Sequence, residues 1–288
     1  MRSSSAAIGA TVLRSALGEA VARTLTVRVL SALVLAPPVL VLLWLGPPWT
    51  DLLLFMAAGI MVWEWARMCG ARSVGWLEAV SILAVTAAVA VGATLGIASA
   101  FAVVVLGALA AGAVAALRRR READDGSFGW FGLGVVYVAV PLLAFQWLRG
   151  LETGQALIVW LVLVVWATDI GAFAVGRTVR GPKLWPAVSP SKTWAGGVGG
   201  VIAAGAVGAA LVRFSGAEHL VAATLFAIVT SIAAQIGDFF ESFVKRRFHR
   251  KDSSGLIPGH GGLLDRVDGL IGGTLAVASV IALKEVVL

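Results

Sequence analysis

Long apolar runs separated by short polar breaks dominate the chain. A membrane-crossing helix needs roughly 20 mostly apolar residues. Nine such runs stand out, at about Val29–Leu45, Thr50–Val62, Trp76–Val91, Ile97–Leu117, Gly129–Trp147, Gln155–Val175, Trp194–Val212, Leu220–Phe240 and Val267–Leu288. The stretch from Trp76 to Leu117 is too long for one span and divides near Gly92–Gly96. The runs are continuous rather than alternating, which argues for helices and against a β-barrel. The expected fold is therefore an all-α polytopic membrane protein with about nine transmembrane helices. Two polar interruptions are longer than the rest, Gly176–Thr193 and Glu241–Arg266, and both are rich in Gly, Pro, Ser and Lys. Residues 1–28 read as an N-terminal cytosolic arm, 29–150 as an N-terminal transmembrane region and 151–288 as a C-terminal transmembrane domain that carries both polar loops.

Composition agrees with this reading. Of 288 residues, 59% are apolar and 14% charged, with a mean hydropathy of +0.92. Soluble domains hold about 45–50% apolar and roughly 25% charged residues. A soluble enzyme, a disordered chain and a nucleic-acid-binding domain are thereby excluded. The single Cys69 leaves no internal disulfide and no Cys-rich metal site. Lys and Arg favour cytoplasmic loops. If the nine spans alternate, 20 of the 23 basic residues share one side, and only Arg149, Arg213 and Lys284 fall on the other. The N-terminus is thus expected inside, the C-terminus outside and both polar loops in the cytoplasm. The run Arg118–Arg121 reads as a topology anchor.

Ionised groups within a bilayer are costly and need a reason. Asp169 lies well inside the sixth run and Asp238 near the inner end of the eighth; Asp265 and Asp268 open the ninth. Helical spacing puts Asp265 and Asp268 on one face, and puts Asp238, Glu241, Ser242 and Lys245 on another. From Asp238 to Asp268 the chain holds six basic residues and five carboxylates. Carboxylates suit a hard cation such as Mg²⁺, which keeps substrate phosphates among its ligands. Lys and Arg clamp phosphate oxygens, and glycines let the backbone approach them. The pattern points to a metal–phosphate site at one membrane surface.

The segment Ser242–Asp268 includes Lys245-Arg246, Lys251-Asp252 and the run Pro258-Gly259-His260-Gly261-Gly262-Leu263-Leu264-Asp265-Arg266-Val267-Asp268. It resembles the signature of the phosphatidate cytidylyltransferases (CDP-diacylglycerol synthases), without departure over 27 positions. Asp169-Ile170-Gly171-Ala172-Phe173 and Ser189-Pro190-Ser191-Lys192-Thr193-Trp194 resemble upstream motifs of that family. Ala195, Ser191 and Phe173 depart from the common Glu, Lys and Tyr. The resemblance covers about Leu157–Gly273.

It implies transfer of a cytidylyl group from CTP to phosphatidate, giving CDP-diacylglycerol and pyrophosphate. By similarity, Asp238, Asp265 and Asp268 are metal ligands for Mg²⁺, with a second cation of unspecified identity. Lys192, Lys245, Arg246 and Lys251 would hold phosphates, joined by Ser189, Ser191, Ser242 and Arg266. Gly261 and Gly262 would form a close-approach turn, and His260 would orient a phosphate or carboxylate. Asp169 and Asp252 are further candidates. The expected partners are CTP, phosphatidate and membrane lipid, with no nucleic acid; a homodimer is expected by analogy. The expected location is the plasma membrane, with the site facing the cytoplasm.

Two other functions compete. A CTP-dependent polyprenol or phytol-type lipid kinase shares the nucleotide but lacks the full signature. An ion-coupled transporter would spread its carboxylates through the bilayer depth, whereas most here lie at one surface. Small-residue stripes such as Gly196–Gly200, Gly205 and Gly208 read as helix-packing faces.

Overall fold

The computed structural model describes residues 34, 37–70, 75–119, 128–216 and 219–287. The N-terminal arm, part of the first expected span and Arg120 and Arg121 of the basic run lie outside the described residues. Residues 37–45 are helical. Eight long helices follow: α1 (Trp49–Met68), α2 (Trp76–Leu95), α3 (Ile97–Arg119), α4 (Phe128–Gly150), α5 (Gly154–Thr178), α6 (Trp194–Phe214), α7 (Leu220–Arg247) and α8 (Leu264–Val287). Among the described residues seven of them, α2 to α8, are long and apolar enough to cross a membrane. The protein is a polytopic helical membrane protein. Helix α1 is as long as α2, but Asp51, Glu64 and Arg67 make it more polar.

The expected break in the long run falls at Gly96, whose φ of 89° is open to glycine and strained for other residues. One residue therefore separates α2 from α3. Helices α7 and α8 extend further into the second polar loop than its composition suggests. Residues 241–247 are helical, because Glu241 and Lys245 pair across one turn at 3.3 Å and Lys245, Arg246 and Arg247 sit at the negative end of the helix dipole. The loop proper is 248–263.

The first polar loop is likewise not all loop. It folds into an antiparallel hairpin, β1 (Lys183–Trp185) and β2 (Ser189–Thr193), with Lys183 opposite Thr193 and Trp185 opposite Ser189. Strands this short carry too little alternation to be seen in sequence. Thr193 closes the hairpin and starts α6, its hydroxyl accepting from Gly196 N at 3.1 Å.

Tertiary hydrogen bonds tie each end of the bundle together. At one end Gln155 Nε2 donates to the Trp44 carbonyl (3.1 Å) and Gln146 to Asp51 (2.9 Å). At the other, the end of α1 meets the 248–263 loop, and the hairpin meets α7. Both polar loops thus share one end.

Large apolar side chains fill the space among α1–α4, including Trp65, Met68, Val85 and Leu143, each with at most 1% exposed. Between α5, α6 and α7 the packing is different. A Cβ on Gly200 would lie 2.9 Å from the Thr168 carbonyl oxygen, and one on Gly208 would lie 2.5 Å from the Ala227 methyl. The small-residue stripe of α6 therefore serves two neighbours, as small-residue faces do in membranes.

Candidate active site

Helices α7 and α8 cross at a point that only glycine allows: a Cβ on Gly237 would lie 2.5 Å from the Asp268 carbonyl oxygen. This contact brings the acidic face of α7 against the start of α8. Lys245 is buried and reaches Asp265 Oδ1 at 2.7 Å as well as Glu241. Asp265 Oδ2 accepts from Ser253 N (2.9 Å), Ser253 Oγ (2.9 Å) and Gly262 N (2.8 Å). Four donors thus converge on one carboxylate, which fixes the loop against the first turn of α8.

The hairpin supplies a second ammonium. Lys192 on β2 forms an ion pair with Asp238 and sits 4.3 Å from the centre of the Phe239 ring. Ser242 donates weakly to the other Asp238 oxygen (3.5 Å). Asp169, exposed on α5, lies within electrostatic reach of Asp238, Lys192 and Arg266.

Asp268 accepts from Gly269 N at 2.8 Å, and its carboxyl also meets that of Glu241. Neither Glu241 oxygen takes a directed hydrogen bond among the described residues, although the side chain is fully buried. Two acceptors in contact need a shared proton or a cation between them.

The other expected residues are less central. Arg246 turns away from the carboxylates and ties α7 to the hairpin, donating to the carbonyls of Val188 (3.3 Å) and Arg250 (3.1 Å). Ser189 is buried at the hairpin, whereas Ser191 is exposed and accepts from Lys183 through its carbonyl (3.4 Å). Lys251 and Asp252 are exposed on the loop and form no ion pair among the described residues. His260 is half-buried, with Nδ1 unpartnered among the described residues, and Arg266 is exposed. Gly261, at φ 86°, and Gly262 do make close approaches, but to side chains of this chain: Asp265 at Gly261, and the Ser253 hydroxyl and the Glu64 carboxylate at Gly262. A Cβ on Gly261 would lie 2.7 Å from Asp265 Oδ2, and one on Gly262 would overlap Glu64 Oε1.

Glu64, Ser253 and Ser254 are absent from the site that the sequence defines, and Glu241 appears there only as a member of the acidic face, with no role assigned. Glu64 has a legible signal, because an ionisable residue in an apolar helix is a functional candidate by default. Its partners are not legible: it accepts from Leu263 N and Leu264 N, about 200 positions away along the chain.

A helical membrane protein with lysines and carboxylates interlocked at one end, around glycine-lined turns, has the parts of a phosphate-handling centre. Comparison with known proteins agrees. The chain matches the cytidylyltransferase family over residues 26–284 and belongs to that family. It is accordingly a nucleotidyltransferase. It is 39% identical to a phosphatidate cytidylyltransferase of Brucella suis biovar 1 (strain 1330) over 248 residues, or 86% of this chain and 89% of the relative. The protein of that name from Rickettsia conorii is 37% identical over 151 residues (50% of this chain, 65% of the relative). The one from Staphylococcus haemolyticus is 40% identical over 137 residues (47% and 52%).

Proposed function

We propose that the protein is a phosphatidate cytidylyltransferase, acting at the cytoplasmic face of the plasma membrane. The observation that carries this reading is the pairing of two ammoniums with two carboxylates, Lys192 with Asp238 and Lys245 with Asp265, across three separate chain segments. A phosphate oxygen of phosphatidate attacks the α-phosphorus of CTP. A new P–O bond forms, the bond between the α-phosphorus and the bridging oxygen breaks, and pyrophosphate leaves with that electron pair. The attacking oxygen is already anionic, so positioning and charge neutralisation make up most of the catalysis. Lys192 and Lys245 stand ready to exchange a carboxylate partner for a phosphate oxygen. The Asp265 web holds Lys245 in place while it does so.

The donor set suits Mg²⁺. Glu241 and Asp268 bring two carboxyls together with the Lys245 ammonium, 3.3 Å from Glu241, beside them, and Asp238 is close enough to interact with Asp268. Among the described residues no three His, Cys, Asp or Glu side chains form a ready metal centre. Mg²⁺ does not require one, since it is usually held by one or two carboxylates together with substrate phosphates. Asp238 and Asp268, aided by Glu241, would hold it; Asp265 is already engaged by four donors. When bound, the ion would neutralise charge on the reacting phosphates.

The excess of Lys and Arg on the hairpin side supports a cytoplasmic orientation. That orientation would give the site access to CTP and to anionic lipid attracted by the basic residues.

The test is an assay of the purified full-length protein with labelled CTP, phosphatidate and Mg²⁺. The cytidine label should become lipid-soluble in the parent. Asp265→Asn and Asp268→Asn should each lower the rate about 100- to 1,000-fold. Transfer of the γ-phosphate to a lipid alcohol, with release of CDP, would instead identify a kinase.

A further inference from the structure

Glu64 is fully buried near the end of α1, far from the signature segment in sequence. Its carboxylate accepts four hydrogen bonds from that segment: Leu263 N (2.8 Å), Leu264 N (2.7 Å), Ser254 Oγ (2.6 Å) and Ser253 Oγ (3.3 Å). Two of these come from the start of α8, where backbone N–H groups have no helical partner and favour an anion. The third and fourth come from the loop. Ser253 Oγ also lies 2.9 Å from Asp265 Oδ2, so one hydroxyl group lies between two carboxylates.

The surroundings keep Glu64 from drifting. The next residue, Trp65, donates to the Trp130 carbonyl at 2.7 Å and packs against the rings of Tyr137 and Phe240. On the other side, the missing side chain of Gly262 leaves the space that Glu64 and Ser253 fill, and a Cβ there would overlap Ser253 Oγ.

We infer that Glu64 is a positioning residue for the transfer reaction, acting through Ser253 and the α8 N-terminus to hold Asp265 and its partner Lys245 in register. The N-terminal half of the chain thereby completes the centre without touching substrate. Because Glu64 and Asp265 occupy the amides of Gly262, Leu263 and Leu264, the start of α8 is filled by carboxylates of this chain. Phosphates are left to the lysines. The inference rests on the cytidylyl-transfer reading for its kinetic arm only.

The experiment compares the full-length parent with Glu64→Gln, Ser253→Ala and the double variant in lipid–detergent micelles. Glu64→Gln is near-isosteric and removes charge. It should lower kcat per folded molecule about 10- to 100-fold and leave KM for CTP within about threefold, because misplacement by about an ångström is that costly to the reaction. Ser253→Ala should lower kcat less. The double variant should be little worse than Glu64→Gln alone, since coupled residues are not additive. A purely structural role would reduce only the folded fraction, and normal kcat per folded molecule would overturn the inference. Losses that multiply in the double variant would overturn the route through Ser253.

Hydrogen–deuterium exchange without any substrate gives an independent arm. Exchange over 253–264 should quicken in Glu64→Gln while residues 183–193 stay as in the parent. Unchanged exchange over 253–264 would overturn the inference whatever the reaction is. A parent unable to make lipid-soluble cytidine label would instead overturn the proposed function.

Discussion

The helices before Gly150 and those after it are built by different rules. In α1–α4 large side chains occupy the interior: Trp65, Met68, Val85 and Leu143 are buried to within a few per cent. In α5–α8 backbones press together at glycine, as at Gly171, Gly200, Gly237 and Gly272, while large apolar residues face outward in both regions, such as Leu83 and Leu106 in the first and Ile170 and Ile202 in the second. Close backbone contact fixes helix position without filling the space between helices with side chains. Helices that carry chemistry gain from that arrangement, because the polar face of α7 can lie directly against the start of α8. The side-chain core of the first region makes a stiff platform, and from it Glu64 reaches across to the second.

Replacing Gly237 with Val gives the largest effect that should separate the two regions. The new side chain would meet backbone on α8, at the Asp268 carbonyl and at Gly272, so the two helices would have to separate. Little monodisperse protein should survive purification, and any that does should show transfer reduced more than about 100-fold. Normal yield and activity would mean that the glycine contact does not set the site.

Lys192→Met should come next. It removes an ammonium that is about a quarter exposed and leaves Asp238 without its ion-pair partner. Activity should fall about 100-fold, as when one electrostatic contact to a transition state is lost. The unfolding transition in detergent should move little, because partly exposed ion pairs contribute little to stability.

A cavity in the other region should show the opposite signature. Leu143→Ala should destabilise the fold by about 2–5 kcal/mol, read by thermal or denaturant unfolding. The kcat per folded molecule should stay within a factor of two or so of the parent. A selective loss of kcat would show that the platform is tuned to the reaction more finely than stiffness requires.

The smallest effect concerns Cys69, just beyond the end of α1. It is buried, and burial pushes its thiol up, away from the reactive thiolate. A maleimide should label it only after unfolding, with no change in transfer rate before that point.

Asp265, Asp268, Lys192 and Lys245 are legible in the amino-acid order itself, because charged residues at the ends of apolar runs are conspicuous and their motifs are contiguous. Arg246 is equally conspicuous, but its side chain binds the hairpin backbone instead of the carboxylates. Spacing in sequence does not say which way a guanidinium turns. The hairpin reads as loop because strands of three and five residues have no periodicity to detect.

What the amino-acid order alone determined was the all-helical class, seven of the nine expected spans among the described residues, and the break at Gly96. These are local properties, since a bilayer tests each segment of about 20 residues almost by itself. Only the tertiary structure decided which donor each carboxylate receives. Lys192 meets Asp238 and Leu264 meets Glu64 across gaps of tens to hundreds of residues. Such partners depend on how closely helices approach, and in the second half of this chain that distance is set by where a methyl group would not fit.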